Sequence, residues 1–599
     1  MSMCKISTFL ALIILVRGQE WVRQLVLDPY NKYRVGWWIT DGIIGFQVEV
    51  ATRGWIGFGI SRNGQMADSD VVIGWVNDGN AILQDRHINK GRKVLVDSQQ
   101  DWILDFGEEN ETHTKLRFHR RLMTCDNDDL PIDDSMTHLI YAYHREDPAF
   151  DRIPVRHYPH HRGSKKTILL QGNQINLIRK NYSIWEILAP NNTIPKNKDT
   201  TYLCTLFRVP YVGRKRHVFE IEPIIQKGNE QFVNHIVLYK CLKIRPKTVR
   251  PYLNNKSYNC YYPDMPDIFS NCQTVLFSWA LGGESFILPK HVGLPFGGKD
   301  GIFFLLEIHY DNPNLMSGIV DHSGLRLYYT THLRKFDAMT LVVGAVYEPC
   351  VIIPPNDDNF IVAGHGDPKC LSPAIPANGI KIFAVSLHMH LLGRKFVLRH
   401  FRGNKELQPI VSEKNYDYYF QEYHYLQKEV TVLATDHLVA ECTYNSIGRN
   451  ITTFGGLGTK DEMCLAFILY YPKIARSFAI SAPSCNLVVG LAGVEKNWPE
   501  SEILESPLTK ENQTFLHYLA TYPWRVNYID IMEETIRYSP HLSTCIFGNS
   551  TRIIMNSHVT YPVNFTSYPE ADCSNAMEKC NYFCKFCIIY FLAIYFCYT

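Results

Sequence analysis

Short apolar runs of period two, separated by Gly, Asp, Asn and Pro, recur along this chain and restrict it to β-sheets rather than helix bundles. Gly45 to Val50, Trp55 to Ile60 and Asp70 to Trp75 are three such runs, and they predict a β-sandwich over residues 30–147. His217 to Ile221, Gln231 to Tyr239 and the continuous apolar run Ile302 to Tyr310 place a second β-rich domain at 200–334. The third domain, 335–515, carries Ile382 to His390, Glu429 to Tyr444 and Asp461 to Tyr471. The expected fold is therefore all-β. Residues 148–199, with a basic run from Arg152 to Lys166 interrupted by Pro154 and Pro159, read as a linker. Residues 516–580 read as a C-terminal extension with a short helix within Trp524 to Tyr538, and 581–599 as an apolar tail.

Composition narrows the setting. Lys and Arg number 61 against 59 Asp and Glu, so no basic field exists to attract nucleic acid. Lys5, the apolar run Phe9 to Val16 and the small Gly18 read as a signal peptide spanning residues 1–18. Asn-x-Ser/Thr sequons at Asn110, Asn181, Asn191, Asn255, Asn450, Asn512, Asn549 and Asn564 agree with secretory, lumenal or extracellular passage. Of 17 cysteines, those between Cys125 and Cys545 are expected mostly as disulfides in such a compartment. The uninterrupted apolar run Cys587 to Tyr598 is short for a spanning helix, which needs about 20 residues. A membrane tether, a lipid-anchor signal with Ser574-Asn575-Ala576 as its small residues, and an incidental apolar terminus all fit it.

Chemistry concentrates in the third domain. In a strand, the period of two puts Ala384, Ser386, His388 and His390 on one face, so two imidazoles project side by side from a rigid backbone. That suits a metal, and it equally suits two histidines at an exposed strand end. His235, His309 and Met463 are the other candidate donors on strand ends. A thioether beside imidazoles favours copper(I), whereas a methionine in an apolar strand is also an ordinary core residue. A zinc hydrolase using His388 and His390 is disfavoured, because Met463 is a poor zinc ligand and no Glu stands at metalloprotease spacing.

Several separated motifs together resemble the copper type II, ascorbate-dependent monooxygenases. They are Glu222-Pro223-Ile224-Ile225, Val233-Asn234-His235 to Cys241, Glu307-Ile308-His309-Tyr310-Asp311-Asn312-Pro313, Ser323 to Thr330, Leu387-His388-Met389-His390 to Arg394, and Gly455-Gly456-Leu457 through Glu462-Met463-Cys464-Leu465. They stand in the family's order and resemble its DBH-like subfamily most. The N-terminal sandwich is similar to a DOMON domain. The resemblance implies two jelly-roll-like β-sandwich domains behind that DOMON domain, two coppers held in separate domains across a cleft, and ascorbate as electron donor. The implied substrates are O2 and a small molecule, phenethylamine-like amines among the candidates.

Residue by residue, the resemblance makes His388, His390 and Met463 ligands of the copper that activates O2. His235 and His309 become ligands of an electron-storing copper. The family has two adjacent histidines there, and this chain carries Asn234 at the first position, a hard and weak donor for copper(I). Activity is expected to be impaired to the extent that this donor matters, and a non-catalytic copper-binding or recognition protein is the competing reading. The family's disulfides imply Cys125 with Cys573, Cys204 with Cys260, Cys241 with Cys272, Cys370 with Cys545, and Cys442 with Cys464. A further family pair is missing at both ends, where Gly366 and Ala479 stand, and arithmetic alone leaves Cys350 with Cys485.

Overall fold

The computed structural model describes residues 23–148, 157–172, 181–210, 213–242, 244–253, 255–261, 263–346, 351–483, 515–546 and 552–569. They fall into two compact units, one built on residues up to 174 and the other on residues 175–568.

The first unit is a β-sandwich. One sheet orders its strands Arg23–Val26, Tyr33–Thr40, Ile43–Val50, Thr114–Arg121 and Ile103–Glu109. The other runs Arg162–Ile168, Met136–Tyr143, Ile56–Ser61, Ser69–Asn77, Asn80–Ile88 and Val94–Val96. Alternation supplies the core, in which Trp37, Phe46, Phe58, Trp102 and Phe118 meet between the sheets. Arg120 is buried with them, its guanidinium donating to Asp70 at 2.5 Å, a charge removed from water only because it is paired.

The segment 148–199 is not a linker throughout. Arg162–Ile168 forms an antiparallel ladder with Met136–Tyr143, and Ser183–Leu188 pairs with Gly324–Thr330 in the second unit. Arg162, Lys165 and Lys166 concealed the first of these strands, because lysines and arginines are tolerated on a sheet edge, which is where it lies.

The second unit contains two jelly-roll-like β-sandwiches. In the first, a sheet of Ser257–Asn259, Thr200–Arg208, Phe303–Asp311, Val233–Cys241 and Thr274–Ala280 packs on a sheet that includes Arg216–Ile224, Val292–Phe296 and Gly324–Thr330. In the second, a seven-stranded sheet runs His424–Val432, Ile380–His388, Leu465–Tyr471, Met339–Ala345, Phe478–Pro483, His541–Ile546 and Arg552–Val559. It packs on Phe360–Gly366, His437–Tyr444, Gly393–Arg402 and Lys405–Glu413. The extension 516–580 thus continues the second sandwich: His541–Ile546 pairs with Phe478–Pro483, and the helix Val526–Tyr538 lays Met532 and Ile536 on its core.

The two sandwiches are joined by shared apolar packing. Phe383, Tyr423, Tyr425, Leu469 and Tyr471 of the second belong to the core of the first, and Val237 and Val275 of the first pack with Val342, Met463, Leu465 and Ile480. Phe303–Asp311 and Ile380–His388 are apolar on both faces. Ile380–His388 is covered by its own sandwich on one side and by the first sandwich on the other, whereas the second face of Phe303–Asp311 is covered within its own sandwich by Phe269, Val249 and the cysteines of two disulfides.

Among the described residues four disulfides join this unit: Cys204–Cys260, Cys241–Cys272, Cys370–Cys545 and Cys442–Cys464. Cys573, Cys350 and Cys485 lie outside the described residues, as do the leader, the apolar tail, Asn512 and Asn549. The six described sequon asparagines are all exposed. Among the described residues no helix is long and apolar enough to cross a membrane.

Gly364 marks a close approach of the second sandwich's sheets. A Cβ there would overlap the backbone of Gly344 and Ala345, which cannot swing aside as a side chain would. Gly364→Ala is therefore expected to destabilise this unit by about 3 kcal/mol or more, the upper end of overpacking costs, read as a lowered denaturant midpoint. An unchanged midpoint would show that the sheets separate freely at this point.

Candidate metal centre

Three strands bring the first group of side chains into line. His309 lies on the central strand Phe303–Asp311, in register with Tyr202 on one neighbour and His235 on the other. The Tyr202 ring stacks on His309 at 4.1 Å with an interplanar angle of 4°, and the His235 ring stands 4.8 Å from His309 and 5.7 Å from Tyr202. The ladder shifts register between Val233 and His235, a β-bulge that places Asn234 outside the regular alternation. A regular strand would send consecutive side chains to opposite faces. The bulge accounts for how residues 234 and 235 both belong to one site.

The second group sits at the end of Ile380–His388. His388 is the last residue of the strand, His390 follows it, and their rings lie 5.2 Å apart. The intervening backbone is clamped. The Tyr416 hydroxyl accepts from the Met389 N–H at 2.9 Å and donates to the Met389 carbonyl at 2.6 Å. The Glu462 carboxylate accepts from the N–H groups of His390 at 2.9 Å and Leu392 at 2.6 Å. Met463, next along the chain, is buried, and its carbonyl accepts from the Tyr444 hydroxyl at 2.7 Å.

Hydrogen bonds also select the imidazole tautomers. His390 Nδ1 lies 2.9 Å from the Asp461 carbonyl, which only accepts, so Nδ1 carries the proton and the buried Nε2, without a hydrogen-bond partner, presents its lone pair. His388 Nδ1 lies 2.8 Å from Gln421 Oε1. The Gln421 amide is oriented by its own Nε2, which donates to the Tyr418 carbonyl at 2.8 Å, so His388 likewise turns Nε2 to the site. Outer partners of this type hold a metal-binding histidine in one orientation and raise its basicity.

Neither ring nitrogen of His309 has a hydrogen-bond partner, nor has His235 Nδ1, although His309 is wholly buried. Such orphaned nitrogens each cost about 1–3 kcal/mol unless something coordinates them. Burial, reinforced by the neighbouring histidines, holds the pKa of His235 and of His309 well below the ordinary value. Burial likewise lowers His388, against the bond to Gln421, and brings His390 down to about 3. All four are neutral donors at physiological pH. With the thioether of Met463 they form a soft nitrogen and sulfur set that fits copper.

Asn234 departs from that pattern. Its Nδ2 donates to the Tyr418 hydroxyl of the other sandwich, and its buried Oδ1 has no hydrogen-bond partner. The two groups are also not held apart by an open cleft, as expected from the resemblance. The His235 ring stands edge-on to His388 at 5.2 Å, because the sandwiches meet through a continuous apolar seam. What remains between them is a small cavity lined by His235, His388, Met463, Glu307, Tyr261 and Trp279, among others.

Sequence reasoning missed Tyr202, Glu307, Tyr416, Tyr418, Gln421 and Glu462. For Glu307 a signal existed: it stands two residues before His309 on a strand and so shares its face. No local signal marks Gln421 or Tyr418, which arrive from a loop distant in sequence.

Comparison with known proteins agrees with this arrangement. Residues 185–317 match the N-terminal domain, and 336–488 the C-terminal domain, of the copper type II ascorbate-dependent monooxygenases, and residues 29–144 match the DOMON domain. DBH-like monooxygenase protein 1 of Homo sapiens is 40% identical over 517 residues, 85% of this chain and 83% of that protein. MOXD1 homolog 1 of Drosophila melanogaster is 36% identical over 484 residues, 77% of this chain and 68% of that one. Dopamine beta-hydroxylase of Homo sapiens is 31% identical over 539 residues, covering 88% and 84%.

The buried histidines dictate a pH dependence. Their folded pKa values lie below the ordinary 6.5 or so, hence the unfolded chain binds more protons below that pH and stability falls on acidification. Between pH 6.5 and 5 each contributes up to about 1.4 kcal/mol per pH unit. Thermal unfolding of copper-free protein should show the midpoint falling steadily below pH 6.5. A flat midpoint down to pH 5 would mean that the imidazoles are not buried uncharged.

Proposed function

Because the chain belongs to the copper type II ascorbate-dependent monooxygenase family, and to its DBH-like branch, we propose that it hydroxylates a C–H bond of a small molecule with O2, phenethylamine-like amines being the first candidates. The reading rests on one observation above the rest: the buried His390 Nε2, left as the lone-pair nitrogen by the bond that keeps the proton on Nδ1 and without a hydrogen-bond partner, 5.2 Å ring to ring from His388, which lines the same cavity as Met463. His388, His390 and Met463 would hold one copper, and His235 and His309 a second. Bound copper would supply the single-electron steps by which one atom of O2 enters the C–H bond and the other leaves as water, two electrons and two protons coming from two ascorbates.

The chain's own part is positioning. Tyr416 and Glu462 fix the backbone through His388-Met389-His390, Gln421 and the Asp461 carbonyl fix the two tautomers, and Tyr202 holds the plane of His309. The apolar seam between the sandwiches forms part of the wall of the cavity in which a substrate would lie. Asn234 supports a second reading, a copper-binding protein with little or no turnover, since an amide bound to Tyr418 stands where the family has a third imidazole.

Metal analysis after exhaustive dialysis should find one tightly held copper per chain and a second, weaker one. With both supplied, ascorbate-dependent oxygen consumption on phenethylamines should yield hydroxylated product. Absence of any retained copper would refute the enzyme reading, and two equally tight coppers would refute the assigned asymmetry.

Asn234→His restores the missing donor and should raise retention of the weaker copper by on the order of 10-fold or more, with a rise in turnover. Higher occupancy with unchanged oxygen consumption would show that electron supply through this position does not limit the protein.

A further inference from the structure

Glu307 is a buried carboxylate on the cavity wall for which the redox chemistry has no use. It shares the face of its strand with His309, one two-residue step of roughly 7 Å away, and stands in register with Val237, two residues from His235. The Tyr261 hydroxyl donates to its Oε2 at 3.2 Å and Tyr239 also hydrogen-bonds to it, yet it makes no ion pair among the described residues. Some other buried carboxylates are neutralised or fully bonded, though Asp321, like Glu307, has neutral donors alone. Glu441 receives Arg399 and Arg537, Asp436 receives Arg402 and His400, and Glu462 has backbone N–H groups on both oxygens. Cys204 and Cys260 lie close to Glu307, but their sulfurs are spent in a disulfide, so the three do not constitute a metal site.

A carboxylate kept from water and given two neutral donors but no cation retains acceptor capacity for one. Tyr239 and Tyr261 reach it with their hydroxyls, and it shares the cavity wall with His235, His388 and Met463. We propose that Glu307, with Tyr239 and Tyr261, forms an ammonium subsite that selects aliphatic or arylalkyl amines whose charge lies a few atoms from the C–H bond presented at His388 and Met463. The subsite rests on the substrate cavity assigned above, and its recognition of charge is separable from turnover.

The test is equilibrium binding by calorimetry to the full, copper-loaded chain without ascorbate, comparing phenethylamine with its neutral counterpart 2-phenylethanol. The unaltered protein should prefer the amine by about 10-fold or more. Glu307→Gln should weaken amine binding on the order of 10- to 100-fold, the usual loss of a charged hydrogen bond, and leave the alcohol within about twofold. Glu307→Asp, which keeps the charge, should still prefer the amine. The subsite is refuted if the unaltered protein binds both equally or binds no amine at millimolar concentration, or if Glu307→Gln loses both ligands alike, as a structural role would require. Because the unaltered protein alone discriminates amine from alcohol, a variant that misfolds does not remove the test. Amine preference without hydroxylation would sink the enzyme reading and keep the subsite, whereas hydroxylation of both ligands with equal affinity would do the reverse.

Discussion

Four imidazoles held uncharged within one small volume are the constraint on which the second unit depends. His235, His309, His388 and His390 lie in a continuous chain of ring contacts between 4.8 and 5.2 Å. Two protonated rings at such a distance would repel by about 3 kcal/mol at an effective dielectric constant of 20, in addition to the cost of burying each charge. Neutrality is secured by the apolar strands that exclude water, while for His390 and His388 the acceptors on Nδ1 choose which nitrogen keeps the single proton. The packing that stabilises the fold therefore also prepares the nitrogen lone pairs, and no separate device is required for the second task.

The seam between the sandwiches carries polar as well as apolar ties. Tyr202 donates to the Leu457 carbonyl at 2.7 Å, the Gln421 N–H donates to the Leu281 carbonyl at 2.7 Å, Thr459 donates to Asp311 at 3.2 Å, and Asn234 meets Tyr418. Several of these residues also support a histidine: Tyr202 stacks on His309, and Gln421 bonds to His388. Closure of the two sandwiches and orientation of the imidazoles are thus one arrangement, and loosening the seam would release the tautomers as well.

How much of this was legible in the sequence follows from the range of each interaction. Alternation identified the strands of all three sandwiches, and the apolar run ending at His309 was recognisably doubly covered, because burial on both faces leaves no polar residue to interrupt it. The pair His388 and His390 could be read from the period of two, although the strand ends at His388 and the second ring is set by the clamped turn that follows. The edge strand Arg162–Ile168 was lost among its own charges. Gln421, Tyr418 and Tyr416 were illegible, since their partners are tens to hundreds of residues away and a loop advertises nothing about where it lands. The adjacency of the two histidine groups was equally hidden, because it is a property of how two domains pack.

The bulge in Val233–Cys241 has a consequence for variation within this fold. A residue in a regular ladder is tied to its neighbours by pairing and by the pleat, so exchanging it disturbs a face of the sheet. Asn234 sits where the register slips, its backbone carbonyl taken by Leu281 and its side chain outside the pleat, while His235 onward resumes regular pairing with Phe303–Asp311. The position is mechanically insulated. Its side chain can be exchanged without re-registering a strand, so the tie it makes to Tyr418 is adjustable while the surrounding sheet stays fixed.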